Sequence, residues 1–241
     1  MTALFVSDLH LDASRPAATD CFLRFLAGPA RDAGTLYVLG DLFEAWIGDD
    51  AAGPHERAIL DALRRYTKAG YRCFFLRGNR DFLVGDLFAA DTGVGLLADE
   101  TRIELAGNQA LLMHGDTLCT DDRSYQAYRR LVHRPAVQTL YLALPVRVRS
   151  GLAAYARRRS MAANAGKSAA IMDVNPSAVV DALRRHAVSL LIHGHTHRPA
   201  VHALEVDGRA ARRIVLGAWY EQGSVLHWTT AGPELRNLSF G

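Results

Sequence analysis

Five times along this chain an apolar run stops at a residue able to ligate a metal ion. Ala3-Leu4-Phe5-Val6 leads into Ser7-Asp8-Leu9-His10, and Thr35 to Leu39 leads into Gly40-Asp41. Tyr71 to Leu76 precedes Gly78-Asn79-Arg80-Asp81, and Ala110 to Met113 precedes His114-Gly115-Asp116. Val188 to Ile192 precedes His193-Gly194-His195-Thr196-His197. Such runs read as short buried strands. Alternate residues of an extended segment face one side, so Asp8 and His10 can share an ion, as can His195 and His197. Taken singly, Gly-Asp and Gly-Asn are ordinary turn pairs, and a histidine at a strand end is commonly a satisfied core residue. Their recurrence at five strand ends favours metal binding over a purely structural account.

Carboxylates, an amide oxygen and imidazoles without cysteine suit Mn²⁺, Fe²⁺ or Zn²⁺. The seven candidates are Asp8, His10, Asp41, Asn79, His114, His195 and His197. Seven ligands exceed one tetrahedral site and match two ions sharing a carboxylate. Two ions roughly 3.5–4 Å apart can hold a hydroxide and clamp a phosphoryl oxygen.

Around these strand ends the chain alternates. Helices are expected from Pro16 to about Ala27, or to Arg31 if Gly28-Pro29 only kinks it, and from about Pro54 to Ala69. Thr101 to Leu105 and Ala110 to Met113 form a predicted hairpin around Gly107-Asn108. A helix from about Pro176 to His186 and short strands at Ala200–Val206, Arg213–Leu216 and Ser224–Thr229 complete the reading. An α/β fold follows, layered, with mixed β-sheets flanked by helices and ligands at strand ends.

The net charge of +3 hides an asymmetry. From Arg123 to Met172 there are nine arginines, one lysine and no acidic residue, which leaves 18 basic against 25 acidic residues elsewhere. The composition of this stretch favours about three helices, broken at Pro135, Pro145 and Gly151, forming a cap that meets something anionic. A nucleic acid is not the expected partner, because the run lacks interleaved aromatics beyond Tyr125, Tyr128, Tyr141 and Tyr155. The three scattered cysteines suggest reduced thiols in a cytoplasmic setting. No secretory leader is expected at this N-terminus, and no apolar run approaches the roughly 18 residues of a membrane span.

D-x-H, G-D, G-N-x-D, H-G-D and G-H-T-H, in this order from Asp8 to His197, resemble the calcineurin-like metallophosphoesterase superfamily. That resemblance implies one ion held by Asp8, His10, Asp41 and His197. The other would be held by Asp41, Asn79, His114 and His195, with Asp41 bridging. Many members carry histidine after the motif asparagine; here it is Arg80. Arginine cannot act as a general acid near neutral pH but binds phosphate bidentately. Such a site fits a leaving group that needs little protonation, such as a phosphate monoester leaving from a pyrophosphate. The plainer reading makes Arg80 a surface ion-pair partner of Asp81.

Asp121 to Tyr125, Arg157 to Lys167 and Ile171 to Asn175 further resemble the UDP-2,3-diacylglucosamine diphosphatases of lipid A synthesis. This resemblance implies one domain over 1–241 with a helical cap at about 122–170. It implies water attack on the α-phosphorus of a UDP-linked diacylated sugar, two divalent ions with Mn²⁺ preferred, and a location on the cytoplasmic face of the inner membrane. Asn79, Arg80, Asp122, Ser160, Asn164, Lys167 and His195 would contact substrate, with Asn79, Arg80 and His195 catalytic; Tyr125 and Arg157 are weaker candidates. Ser160, Asn164 and Lys167, spaced four and three apart, would share one helical face. Leu140, Tyr141, Leu142, Leu144, Val146 and Leu152 could line an acyl-chain groove or form the core between cap helices, the commoner fate of such residues.

Overall fold

Alternation within the first strand sets the layering. In β1 (Ala3–Val6), Leu4 and Val6 face one side and Ala3 and Phe5 the other, and all four are buried, so both faces of its sheet are covered. The computed structural model describes residues 2–164 and 173–240. After β1 come α1 (Pro16–Ala27), β2 (Thr35–Leu39), α2 (Pro54–Lys68), β3 (Arg72–Leu76), α3 (Asp86–Thr92) and β4 (Gly95–Leu97). The hairpin of β5 (Glu100–Leu105) and β6 (Asn108–Met113) follows. Next are α4 (Arg123–Val132), α5 (Pro135–Leu142), α6 (Val146–Asn164) and α7 (Pro176–His186). The chain closes with β7 (Leu190–His193), β8 (Ala200–Val206), β9 (Arg209–Val215), β10 (Gly223–Thr229) and β11 (Gly232–Leu238).

One sheet has the order β11-β10-β1-β2-β3-β4 and the other β5-β6-β7-β9-β8. Both are mixed. The strands β1 to β4 run parallel, β10 pairs antiparallel with β1 and β11 antiparallel with β10, while β6, β7 and β9 run parallel between antiparallel edges.

Three apolar layers hold the sheets and helices together. Phe5, Leu39 and Leu76 from the first sheet pack with Leu112, Ile192 and Ile214 from the second, forming the core between the sheets. On the outer face of the first sheet, Leu4, Val6 and Phe75 cluster with Phe22 and Phe25 of α1, Leu63 and Tyr66 of α2, and Phe88 of α3. On the outer face of the second, Leu111 and Leu191 meet Val179, Ala182 and Leu183 of α7. Packing two sheets face to face brings the C-terminal ends of β1, β2, β3, β6 and β7 to one edge, where the ligand motifs begin.

Most expected elements are present with boundaries shifted by a few residues. α1 stops at Ala27, and Pro29–Asp32 forms a separate short turn of 3₁₀ helix, so Gly28-Pro29 ends the helix. Three elements escaped the sequence reading: α3, β4 and β11. The first two have seven and three residues, too short to show a period. β11 carries Pro233 on a sheet edge, where the missing N–H costs no ladder bond.

Three helices, α4, α5 and α6, occupy the basic stretch. Their apolar residues do not form a closed core. Leu140 is 72% exposed, and Leu142, Val146 and Leu152 are also exposed. Eight of the eleven large exposed apolar side chains among the described residues lie on these three helices.

Candidate metal centre

The ligand loops are tied to one another by backbone bonds before any side chain matters. Asp8 N–H donates to Gly40 O at 3.0 Å, His10 N–H to Asp41 O at 2.9 Å, and Gly194 N–H to His114 O at 2.8 Å. Asp81 is fully buried and accepts from the backbone N–H groups of Gly78 (2.8 Å), Leu42 (2.7 Å) and Asp41 (3.2 Å), stapling the loops after β2 and β3. Its binding to backbone explains the third motif's aspartate. It also removes the surface pair with Arg80, whose nearest carboxylate contact is Glu44 at 3.7 Å.

Five of the seven candidate ligands hold positive φ: Asp8 (54°), His10 (48°), Asp41 (53°), His195 (68°) and His197 (57°). Non-glycine residues rarely adopt this region, and such strain concentrates at functional sites. Sequence gave no signal of it. Two glycines allow the loops to approach so closely. A Cβ at Gly194 would run into Ser7 Oγ and Asp8 Oδ2, and one at Gly78 into Asp41.

The side chains then converge. Asp8, His10 and His197 each present one ligand atom within 4.8 Å of the others, as do Asp8, Asp41 and His114. His197 Nε2 lies 3.1 Å from Asp8 Oδ1 and 3.4 Å from His10 Nε2. His114 Nε2 lies 3.0 Å from Asn79 Oδ1 and 3.6 Å from Asp41 Oδ1. The His195 ring stands edge-on to His114 with centroids 5.1 Å apart, and its backbone N–H donates to Asp8 Oδ2 at 2.8 Å. All seven sequence candidates therefore meet at one place. Asp8 is common to both donor sets, with Asp41 beside it.

Divalent cations fit this constellation. Asp8 and Asp41 are 0% and 2% exposed, and carboxylates buried this deeply are found paired with cationic groups or coordinating metals. His114 donates its Nδ1–H to Leu39 O at 2.9 Å, which leaves Nε2 as the inward-facing atom that can ligate once its proton is displaced. Burial works against ionisation of Asp8, yet the His197 hydrogen bond and the charges of His114, His197 and His10 hold its carboxyl well below the usual range. Burial and the nearby His114 push His195 down to about 4, so its imidazole is neutral at pH 7, the form that ligates.

A family model described as calcineurin-like phosphoesterase matches residues 1–199. The chain belongs to the calcineurin-like phosphoesterase family. Among curated proteins in the comparison, UDP-2,3-diacylglucosamine hydrolase of Klebsiella pneumoniae is 55% identical over 240 residues. The proteins of the same name from Escherichia coli O81 and an Enterobacter species are 54% and 52% identical. Each alignment covers 100% of both chains. Membership in a calcineurin-like family implies divalent metals, in agreement with the donor sets.

Other expected contacts divide. Asp122 caps α4, accepting from Tyr125 N–H at 3.0 Å and Ser124 Oγ at 2.8 Å. Tyr125 donates to Asp116 Oδ2 at 2.7 Å, and its ring faces His195 with centroids 6.2 Å apart. Arg129 Nε also donates to Asp116, at 2.6 Å. Asp116, quoted in a motif without a role, thus anchors α4 beside the centre. Ser160 is exposed on α6, whereas Lys167 and the Asn164 side chain lie outside the described residues.

Three residues absent from the sequence candidates complete the surroundings. Glu44 contacts His10, Arg80 and Arg157. The Tyr220 ring stacks on His10 at 5.5 Å and meets His197 edge-on at 5.2 Å. Arg149, 1% exposed, donates to Ile47 O at 2.6 Å, Leu144 O at 2.9 Å and Asp50, fastening α6 to the loop after β2. No local pattern marks them, because each acts on residues far away in sequence.

Proposed function

We propose that the protein hydrolyses the pyrophosphate bond of UDP-2,3-diacylglucosamine, giving UMP and 2,3-diacylglucosamine 1-phosphate in lipid A biosynthesis. The relatives bearing that activity in their name match along the whole chain. One observation carries the reading chemically. The buried two-set metal centre is bordered by Arg80 where a general acid would otherwise stand, the backbone N–H of Arg80 donating to Asp41 Oδ1 at 2.8 Å.

When bound, the ions supply Lewis acidity and lower the pKa of water, which makes a nucleophile available near neutral pH. Asp8, His10, Asp41 and His197 would hold one ion, and Asp41, Asn79, His114 and His195 the other; Mn²⁺ is the preferred metal. Arg80 would bind the pyrophosphate through its guanidinium and stabilise charge on the departing phosphate. Water oxygen bonds to the α-phosphorus, its proton passing to solvent, as the bond to the bridging oxygen breaks. The sugar phosphate then leaves as an anion needing no proton. Asn79 and His195 would orient the α-phosphate. Asp122, Ser160, Asn164 and Lys167 would contact the sugar phosphate, from a single domain whose cap spans about 122–170.

The exposed apolar side chains of α4–α6 offer a surface for acyl chains, and the arginines among them suit anionic headgroups. Among the described residues no helix is long and apolar enough to cross a membrane. We place the enzyme in the cytoplasm, peripheral on the inner membrane. Hydrolysis in ¹⁸O-water tests the chemistry. Label recovered in UMP supports attack at the α-phosphorus, and label in the sugar phosphate contradicts it.

A further inference from the structure

Glu44 is 11% exposed and contacts one imidazole and two guanidinium groups. Its Oε2 lies 3.2 Å from His10 Nδ1, and its Oε1 lies 3.1 Å from an Arg157 guanidinium nitrogen and 3.7 Å from one of Arg80. The three come from different parts of the chain: the loop after β1, the cap helix α6, and the loop after β3. Glu44 itself is held in place by backbone. Leu11 N–H donates to Leu42 O at 2.9 Å and Glu44 N–H to Leu11 O at 3.1 Å, so its segment runs in register beside the one bearing His10.

We propose that Glu44 is a positioning residue that turns His10 Nε2 toward the metal centre and holds Arg80 and the cap arginine Arg157 over it. A histidine ligand whose second nitrogen is fixed by a carboxylate keeps one tautomer and one orientation. Here the same carboxylate also meets the cap. Arg149 anchors α6 to Ile47 and Asp50, and Arg157, eight residues or about 12 Å of helix further on, reaches Glu44. The segment 44–50 is thus a rail along which the cap is fastened at two points, one of them shared with a metal ligand. Arg157 is then oriented by Glu44 toward the anionic part of the substrate.

The inference rests on the centre being the site of hydrolysis, and its test separates the two. Mn²⁺ affinity, by competition with a chelating dye, and KM and kcat for UDP-2,3-diacylglucosamine are measured for full-length wild type, Glu44→Ala, Glu44→Gln, Arg157→Ala and the Gln/Ala double variant. Glu44→Ala should weaken Mn²⁺ binding about 10–100-fold. Glu44→Gln, which keeps a polar oxygen of the same reach beside His10 Nδ1, should stay within a few-fold of wild type. Both, and Arg157→Ala, should raise KM by about tenfold, the scale of a charge-assisted hydrogen bond. In the double variant KM should rise no further than in either single one. Wild-type Mn²⁺ affinity in Glu44→Ala, or multiplying KM effects in the double variant, would overturn the role given to Glu44. A wild type that binds Mn²⁺ but releases no UMP would instead overturn the proposed reaction, leaving the metal-affinity comparison to decide Glu44.

Discussion

His114 Nδ1 lies 2.9 Å from the carbonyl oxygen of Leu39, a bond that joins the end of β6 in one sheet to the end of β2 in the other. The metal centre is therefore built across the sheet interface, and the ring that would ligate one ion also ties the two sheets together. Its proton balance has a measurable result.

Burial opposes a charge on His114, but the carboxylates of Asp41, Asp8 and Asp116 and the Leu39 carbonyl carry its pKa up to about 9 in the absence of metal. Below that pH an arriving cation must displace a proton. Metal affinity should therefore rise as pH increases from 7 to 9, with proton release on binding. Calorimetry in two buffers of different ionisation enthalpy measures that release, and identical heats in both would contradict it.

Gly194→Ala should disable the centre from the backbone. The added methyl meets Ser7 Oγ and Asp8 Oδ2, so the loop after β7 must move away from Asp8. A loss of metal affinity of about tenfold or more is expected, with about 1–3 kcal/mol of destabilisation from overpacking. Gly151→Ala is the control: a Cβ there meets nothing within 4 Å, and alanine in a helix should stabilise by about 0.5–1 kcal/mol. Urea unfolding and dye competition compare the two.

Arg149→Ala leaves the carbonyls of Ile47 and Leu144 without their guanidinium partner. The expected cost is about 2–3 kcal/mol by urea unfolding, with earlier proteolysis in α5 and α6 than in the sheets. A variant as stable and as protease-resistant as wild type would show that the cap is fastened elsewhere.

Asp116 gives a pH signature of its own. Burial raises its pKa, but His114, Arg129, His195 and the Tyr125 hydrogen bond outweigh this and hold the carboxyl well below the usual range. A depressed carboxylate contributes stability above its unfolded pKa of about 3.9, and that stability is lost as pH falls through the lower folded value. Asp116→Asn should cost about 1–3 kcal/mol at pH 7 and flatten the acid side of the stability profile. Urea melts of metal-stripped protein from pH 7 down to pH 3 would show it.

The strand ends were legible because each candidate ligand motif follows a short apolar run, which needs no tertiary information. Alternation is not what brings the seven candidates together: Asp8 and His10 lie beyond β1 and His195 and His197 beyond β7, all four at positive φ, so the closing of the loops does it. What the sequence hid depends on contacts across the fold. Asp81 reads in sequence as a surface partner of Arg80, yet three residues of two loops close around it, and Glu44 is an unremarked acid between Phe43 and Ala45. The strained φ values at Asp8, His10 and Asp41 are imposed by neighbouring loops, and residue type does not encode them. Leu140 and Leu152 carry the same apolar signature as core residues, so only the fold shows that they are exposed.

The most direct measurement is release of UMP from UDP-2,3-diacylglucosamine by metal-stripped protein, with and without added Mn²⁺, beside a simple soluble phosphodiester. Negligible release without metal, restored by Mn²⁺ and far faster than cleavage of the simple ester, is the predicted result. Equal rates with and without metal would contradict the metal centre. Metal-dependent cleavage of the simple ester alone would keep the centre and contradict the lipid substrate.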